Sequence, residues 1–386
     1  MNTAAARLLS TASLGGVQIV MLDKAAAAQA RTQCLELAAS LGLAEILMTD
    51  IYGSRGVTTL LLRLQPEVLR AWMPDHDTAQ LHRHLGHDPQ SDDARALDRE
   101  IFVSLLAAPL PHVFVDVAGL ASAIRVRRHI TLASRRTALA FKTSAAERPE
   151  QYWRYDEDHG FILQPGADLI EALTAATQPE ATGKVYDFSC YRASEYVILL
   201  GLAIELREHN PELFHQLQRY NERHAIRSGL FHEVYLVEYG LERPLPMRYY
   251  VPGDRLWFRN PDPHSSDASG FEGSWLIYMG GGLFSNFWVR NQPFTIESKC
   301  LEVYHWRHST YVDAEGELRI DERKAGAMTR ETERDPEASR EILERMMRLR
   351  DPAGVYAHGG CIDSTREYPR AAIGTGCEIR LPPIPL

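Results

Sequence analysis

One cysteine stands where a turn gives way to a long apolar run, in Val185-Tyr-Asp-Phe-Ser-Cys190-Tyr-Arg-Ala-Ser-Glu-Tyr-Val-Ile-Leu-Leu-Gly-Leu-Ala-Ile204. A thiol in the first turn of a helix meets backbone N–H groups that have no intrahelical partner, and these favour its thiolate. Cys190 is therefore the residue best placed for nucleophilic chemistry. The competing reading of the local sequence is a small buried residue that only packs. Ser189, just before it, suits an N-cap.

Such a thiol needs elements that hold it, and the chain is long enough to build them. Its 386 residues are 45% hydrophobic and 24% charged, enough for a substantial core in two or three domains or one extended domain. A net charge of −9 argues against a general nucleic-acid binder. Cys34, Cys190, Cys300, Cys361 and Cys377 are odd in number and far apart, so neither a disulfide framework nor a paired-cysteine zinc site is expected, and a reducing compartment fits. The first ten residues lack a sustained apolar core, so no signal peptide is expected. No stretch approaches the ~20 apolar residues of a membrane span. A soluble, cytoplasmic protein is the expectation.

Apolar periodicity predicts helices over 24–42, 66–72, 98–107, 119–141 and 167–176, a nearly all-apolar one from about Ser189, and another over 211–227. Strands are expected at 58–64 and 230–238, and after Pro252-Gly-Asp254 at 255–258, 274–279, 283–288 and 299–304, with a hairpin around Glu315-Gly316. Residues 74–88, with four histidines, read as a solvated loop and not as a metal site. Residues 335–350 read as a charged amphipathic helix, and 354–386 as a Gly/Pro-rich tail that wraps the body or lies loose. A cysteine on a buried helix packed against an antiparallel sheet is the layout of papain-like α+β enzymes. The divisions suggested are an N-terminal α/β region over 1–118, a core over 119–325 and a C-terminal extension over 326–386.

Four ordered blocks carry a resemblance: Gln151-Tyr-Trp-Arg, Val185-Tyr-Asp-Phe-Ser-Cys190-Tyr-Arg-Ala, Pro252-Gly-Asp-Arg-Leu-Trp-Phe-Arg-Asn-Pro-Asp262 and Phe271-Glu-Gly-Ser-Trp-Leu-Ile-Tyr-Met-Gly280. Together, over roughly residues 125–290, the chain resembles the bacterial spore-coat protein-glutamine gamma-glutamyltransferases. The resemblance implies an NlpC-like, papain-type α+β core and no cofactor. It also implies a cysteine that attacks a glutamine amide, releases ammonia, and passes the acyl group from a thioester to a lysine amine, so the partners would be protein substrates. Cys190 falls on the nucleophile position.

The chain departs from the family at the groups that titrate. Ser189 and Ser274 stand where the family carries glutamates, and Asn286 stands where it carries a histidine. Two substitutes are available: Glu272, two residues before Ser274 and on the same face of an extended strand, and a histidine, His305 or His308, expected on an adjacent strand. Asn286 cannot act as a base but can serve an oxyanion site. Trp153, Phe271, Trp257 and Phe258 are candidate walls of a tunnel that keeps water from a thioester, the alternative being a sheet core. Three functions follow in order: a cysteine acyltransferase or deamidase, a catalytically degenerate homologue that binds or builds, and a thiol amidase or peptidase.

Overall fold

Two four-stranded sheets carry the architecture, seen in a computed structural model that describes residues 3–9, 14–54, 56–142, 146–158, 160–350 and 360–383. The first sheet contains β1 (Gly16–Met21), β2 (Leu47–Ser54), β3 (Val57–Leu64) and β4 (Pro111–Phe114), in the order β2-β3-β1-β4. Helices α1 (Lys24–Ser40) and α2 (Ala94–Leu106) pack with it, each opened by an aspartate N-cap, Asp23 and Asp93. The core they share continues into Leu120 and Ile124 of α3 (Val117–Arg136) and into Tyr249 and Val251.

The central element is α5 (Cys190–His209), with α3 on one flank and α4 (Leu169–Thr177) on another. Thirteen of its residues are buried, which explains a sequence apolar nearly all round. Where α5 crosses α3 the residue is Gly201, and a Cβ placed there would sit 2.5 Å from Ile130 Cγ1 and 2.8 Å from the Ile130 backbone nitrogen. The small residue sets how closely the two helices approach.

The second sheet is antiparallel throughout and contains β5 (Leu236–Tyr239), β6 (Arg255–Arg259), β7 (Gly273–Ile277) and β8 (Arg366–Pro369), ordered β7-β6-β8-β5. The expected α+β layout, a cysteine-bearing helix against an antiparallel sheet, is present. Paired residues share a face, so Arg255, Trp257, Trp275, Ile277 and Glu367 lie on one side and Leu256, Phe258, Ser274 and Leu276 on the other. The second face joins Cys300 and Val303 of α6 (Ile296–Trp306) in a core of its own.

Several expected elements differ. Residues 299–304 lie within α6, because Thr295 and Ser298 form a reciprocal capping box that starts a helix there. Residues 228–235 are helical and the strand begins only at Leu236, while 283–288 contribute single bridges, not a strand. The histidine tract holds a short helix, Leu81–Leu85, anchored by buried Leu81 and Leu85, with His87 bonded to Glu100 at 2.9 Å. The tail expected from 354 begins in 354–359, which lie outside the described residues; further on, it wraps the body and places β8 inside the sheet between β6 and β5. The amino terminus is tied to the same segment, with the Thr3 hydroxyl donating to the Gly376 carbonyl at 2.8 Å and Arg7 paired with Glu378 at 2.9 Å. Cys300 and Cys361, distant in sequence, meet as buried free thiols with sulfurs 3.2 Å apart. Among the described residues no helix is long and apolar enough to cross a membrane.

Gly201→Ala tests the α3–α5 approach. Alanine improves helix propensity by about 1 kcal/mol, but overpacking against a backbone atom costs about 1–3 kcal/mol. The expected outcome is a net loss of stability in urea unfolding; a gain would mean the helices separate freely.

Candidate active site

Cys190 occupies the first position of α5, after Ser189, whose hydroxyl accepts the Arg192 N–H at 3.3 Å. Cys190 and Cys377 are half-buried, whereas Cys34, Cys300 and Cys361 are fully buried. The sulfur lies at the free edge of β7. On β6, the Trp257 carbonyl accepts from the Asp363 N–H at 3.2 Å and the Arg259 N–H donates to the Cys361 carbonyl at 2.7 Å, both on the side away from β7. Trp257 is therefore a non-hydrogen-bonded partner of Trp275, and the Trp275 N–H points out of the sheet. That N–H and the one of Tyr191, the next residue of the helix, both act on the Cys190 sulfur and favour its thiolate.

Burial pushes the Cys190 thiol up; the two N–H donors and the Lys299 ammonium oppose that rise, and the Glu272 carboxylate adds to it. Lys299 lies in α6, is only 2% exposed, pairs with Glu302 and sits over the rings of Phe294 (4.4 Å) and Trp306 (5.3 Å). Reading 299–304 as a strand hid this residue, because a helical period is needed to turn Lys299 inward. Aromatic rings surround the first turn of α5. Tyr191 meets Trp275 edge-on at 5.3 Å, Trp257 stacks on Trp275 at 5.8 Å, and the Arg255 guanidinium lies 4.9 and 4.6 Å from the Tyr191 and Trp275 rings. Gly273 makes room for this stack, since a Cβ there would fall 2.0 Å from the Trp257 indole nitrogen.

Behind the rings runs a buried ionic network. Arg255 pairs with Glu367 across the β6–β8 register, and Glu367 also meets His232 at 2.9 Å. Glu195, one helical turn after Tyr191, pairs with Arg192 at 2.7 Å. Burial drives its carboxyl up to about 7, against the pull of Arg192 and Arg255.

The expected site residues are distributed unevenly around Cys190. Glu272 is close enough for its charge to act on the thiol, but it is exposed, precedes β7, and turns back to accept the Gly270 N–H at 3.4 Å. Ser274 is buried on the face of β7 opposite Trp275. Asn286 donates to the Gln292 carbonyl at 2.8 Å and accepts from the Trp288 and Val289 N–H groups, so its amide is used within its own loop. His305 is on helix α6 and not on an adjacent strand. It lies six residues beyond Lys299, about 9 Å along the axis at ~1.5 Å per residue. Its Nε2 bonds to the Thr332 hydroxyl at 2.8 Å, and burial lowers it to about 4. Trp257 lies in the aromatic stack beside Cys190, and Phe271 joins Phe141 and Trp306 at 5.5 and 5.1 Å. Phe258 is enclosed in the core with α6, and Trp153 in the core of α5, where its indole donates to the Ala172 carbonyl at 2.9 Å. The residues missed were Tyr191, Trp275, Arg255 and Lys299. Three of them sit inside the quoted blocks, but their direction depends on strand pairing.

The sequence model of a family described as protein-glutamine gamma-glutamyltransferase matches residues 78–360. A solved transglutaminase from Geobacillus stearothermophilus, without its C-terminal extension, is similar over 54% of this chain and 96% of that chain, with 21% identity and a TM-score of 0.36. No curated protein matches the chain significantly.

Two outcomes are expected of this site. Iodoacetamide should label Cys190 ahead of Cys34, Cys300 and Cys361, with a rate that climbs through pH 9, and Lys299→Met should slow it at fixed pH by removing the opposing ammonium. A rate that levels off below pH 8 would contradict a raised thiol. For Glu195, the folded carboxyl lies above its ordinary 4.5, so between about 4.5 and 7 the native state holds more protons than the unfolded chain. Stability then falls as pH rises across that window, by on the order of 2–4 kcal/mol at ~1.4 kcal/mol per pH unit. Glu195→Gln should flatten this slope in denaturant unfolding at pH 5, 6, 7 and 8.

Proposed function

Because the chain belongs to the protein-glutamine gamma-glutamyltransferase family, we propose that it transfers the acyl group of a glutamine side chain through Cys190. What supports this reading is the pair of backbone N–H groups, of Tyr191 and Trp275, that act on the Cys190 sulfur at the start of α5. Preorganised donors of this kind stabilise negative charge, first on the thiolate and then on the oxyanion formed beside it.

The thiol loses its proton and the sulfur attacks the glutamine carboxamide carbon. The Glu272 carboxylate, whose charge acts on that thiol, takes the role of proton acceptor. Collapse of the tetrahedral species breaks the C–N bond; the departing nitrogen takes up the proton and leaves as ammonia, and a thioester remains. A lysine amine then attacks the thioester, forming an isopeptide bond and returning the thiol. With water in place of the amine the product is glutamate. Trp257 and Trp275, stacked beside the sulfur, shield the thioester from water. The Lys299 charge supports the anionic states.

A second reading is favoured by one observation. Asn286 and His305 are engaged elsewhere and burial holds the thiol up, as expected of a homologue that has kept the scaffold and lost the chemistry. One experiment separates the two. With a glutamine protein and a fluorescent amine, the wild type should incorporate the amine and release ammonia, and Cys190→Ala should abolish both. Glu272→Gln should lower the rate at least tenfold. Absence of turnover and of any thioester adduct in intact mass would establish the degenerate reading, while full activity of Glu272→Gln would remove Glu272 from the mechanism.

A further inference from the structure

One residue before Cys190, a cavity of about 310 Å³ opens at Ser189, bounded by Lys142, Arg148, Asp187, Phe188, Arg192 and Arg227. None of these residues takes part in the chemistry derived above. Four basic side chains face one acid. Lys142 pairs with Asp187 at 2.9 Å and Arg192 with Glu195 at 2.7 Å, which leaves the guanidinium groups of Arg148 and Arg227 with no carboxylate within ion-pair distance among the described residues.

Arg148 is the informative one. It is only 4% exposed, its guanidinium lies 3.3 Å from the Phe188 ring centroid, and one terminal nitrogen donates to the Asp187 and Glu147 carbonyls at 2.8 and 2.6 Å. Its Nε finds no acceptor among the described residues. Among the described residues its hydrogen-bond acceptors are neutral, with the Asp187 carboxylate acting on it only through space, and a buried cation so held with a donor still open is poised for an anion that arrives from outside. Arg227, exposed and also lining the cavity, donates to the Asp158 carbonyl at 3.0 Å and contributes its charge to the same space. Aromatic walls of Phe161, Phe188 and Tyr196 accompany the charges, a lining suited to a peptide side chain.

We propose that this cavity takes the carboxylate of an aspartate or glutamate in the protein substrate, one to three residues from the reacting glutamine, and so selects glutamines in an acidic context. The spacing follows from position: Ser189 adjoins Cys190, and an extended peptide advances about 3.3–3.6 Å per residue. The assignment rests on the acyltransferase reading for the glutamine, while the anion chemistry rests on the cavity itself.

The test uses full-length Cys190→Ala, which binds without reacting, and fluorescence anisotropy with paired peptides. Each pair differs only in carrying Glu or Gln two residues from the target glutamine. The acidic peptide should bind at least tenfold more tightly at low salt, with the advantage shrinking as NaCl is raised. Arg148→Gln should erase the advantage, provided circular dichroism shows it folded. Exposed Arg227→Glu carries the test independently and should turn the preference toward a lysine-flanked peptide. Equal affinities within a pair, or an acidic preference unchanged by Arg227→Glu, would overturn the proposal. So would binding of inorganic phosphate at the cavity without any peptide preference, which would mark it as a site for free anions. Amine incorporation by the wild type is measured separately: its absence with the acidic preference intact removes the acyltransferase reading and not the anion site.

Discussion

The outward-facing N–H of Trp275 is the point on which the site depends. It is available because Trp257 directs its own backbone groups to the segment around Asp363, which leaves the facing residue of β7 unpaired on its outer side. An open donor at a buried sheet edge needs an acceptor. This donor faces the Cys190 sulfur at the start of α5, where that helix packs against the strand. Everything that controls the sulfur follows from that contact: the second N–H from Tyr191, the aromatic stack on one side and the Lys299 ammonium on the other.

That seating is reinforced at a distance. Gly201 lets α5 lie close on α3, fixing the helix along its length. The Arg255–Glu367 pair links β6 to β8, a strand from the far end of the chain, beneath the Tyr191 and Trp275 rings. A buried pair of this kind contributes little net stability but is costly to break, so it holds β8 in register and not elsewhere. The carboxyl-terminal segment is thus part of the frame around Cys190.

The charges near the sulfur divide into two groups by what they meet. Lys299 and Glu272 act on the thiol itself with opposite sign. Arg148 and Arg227 line a separate space beside Ser189 and make no ion pair with a carboxylate among the described residues. One set bears on reactivity, the other on what is brought to it. The helix start lies between them, so nucleophile and anion cavity are adjacent without sharing a side chain.

Local order was legible in the sequence. Cys190 at a helix start, the apolar helix behind it and the antiparallel strands at 255 and 274 follow from capping, periodicity and short-range spacing, which are properties of neighbouring residues, and the four ordered blocks carried the family likeness as a resemblance. The environment of the thiol was not. His305 looked available because 299–304 alternates like a strand, yet a capping box at Thr295 makes the segment helical and turns Lys299 inward in its place. Asn286 looked available until its own loop used the amide. Trp275 matters through its backbone and not its indole, and Arg148 through an open donor in a space it shares with residues 79 positions away. Which N–H is left free, which charge lies unpaired and which ring covers a sulfur are set by strand pairing and helix approach between distant segments, so only the tertiary structure decided them.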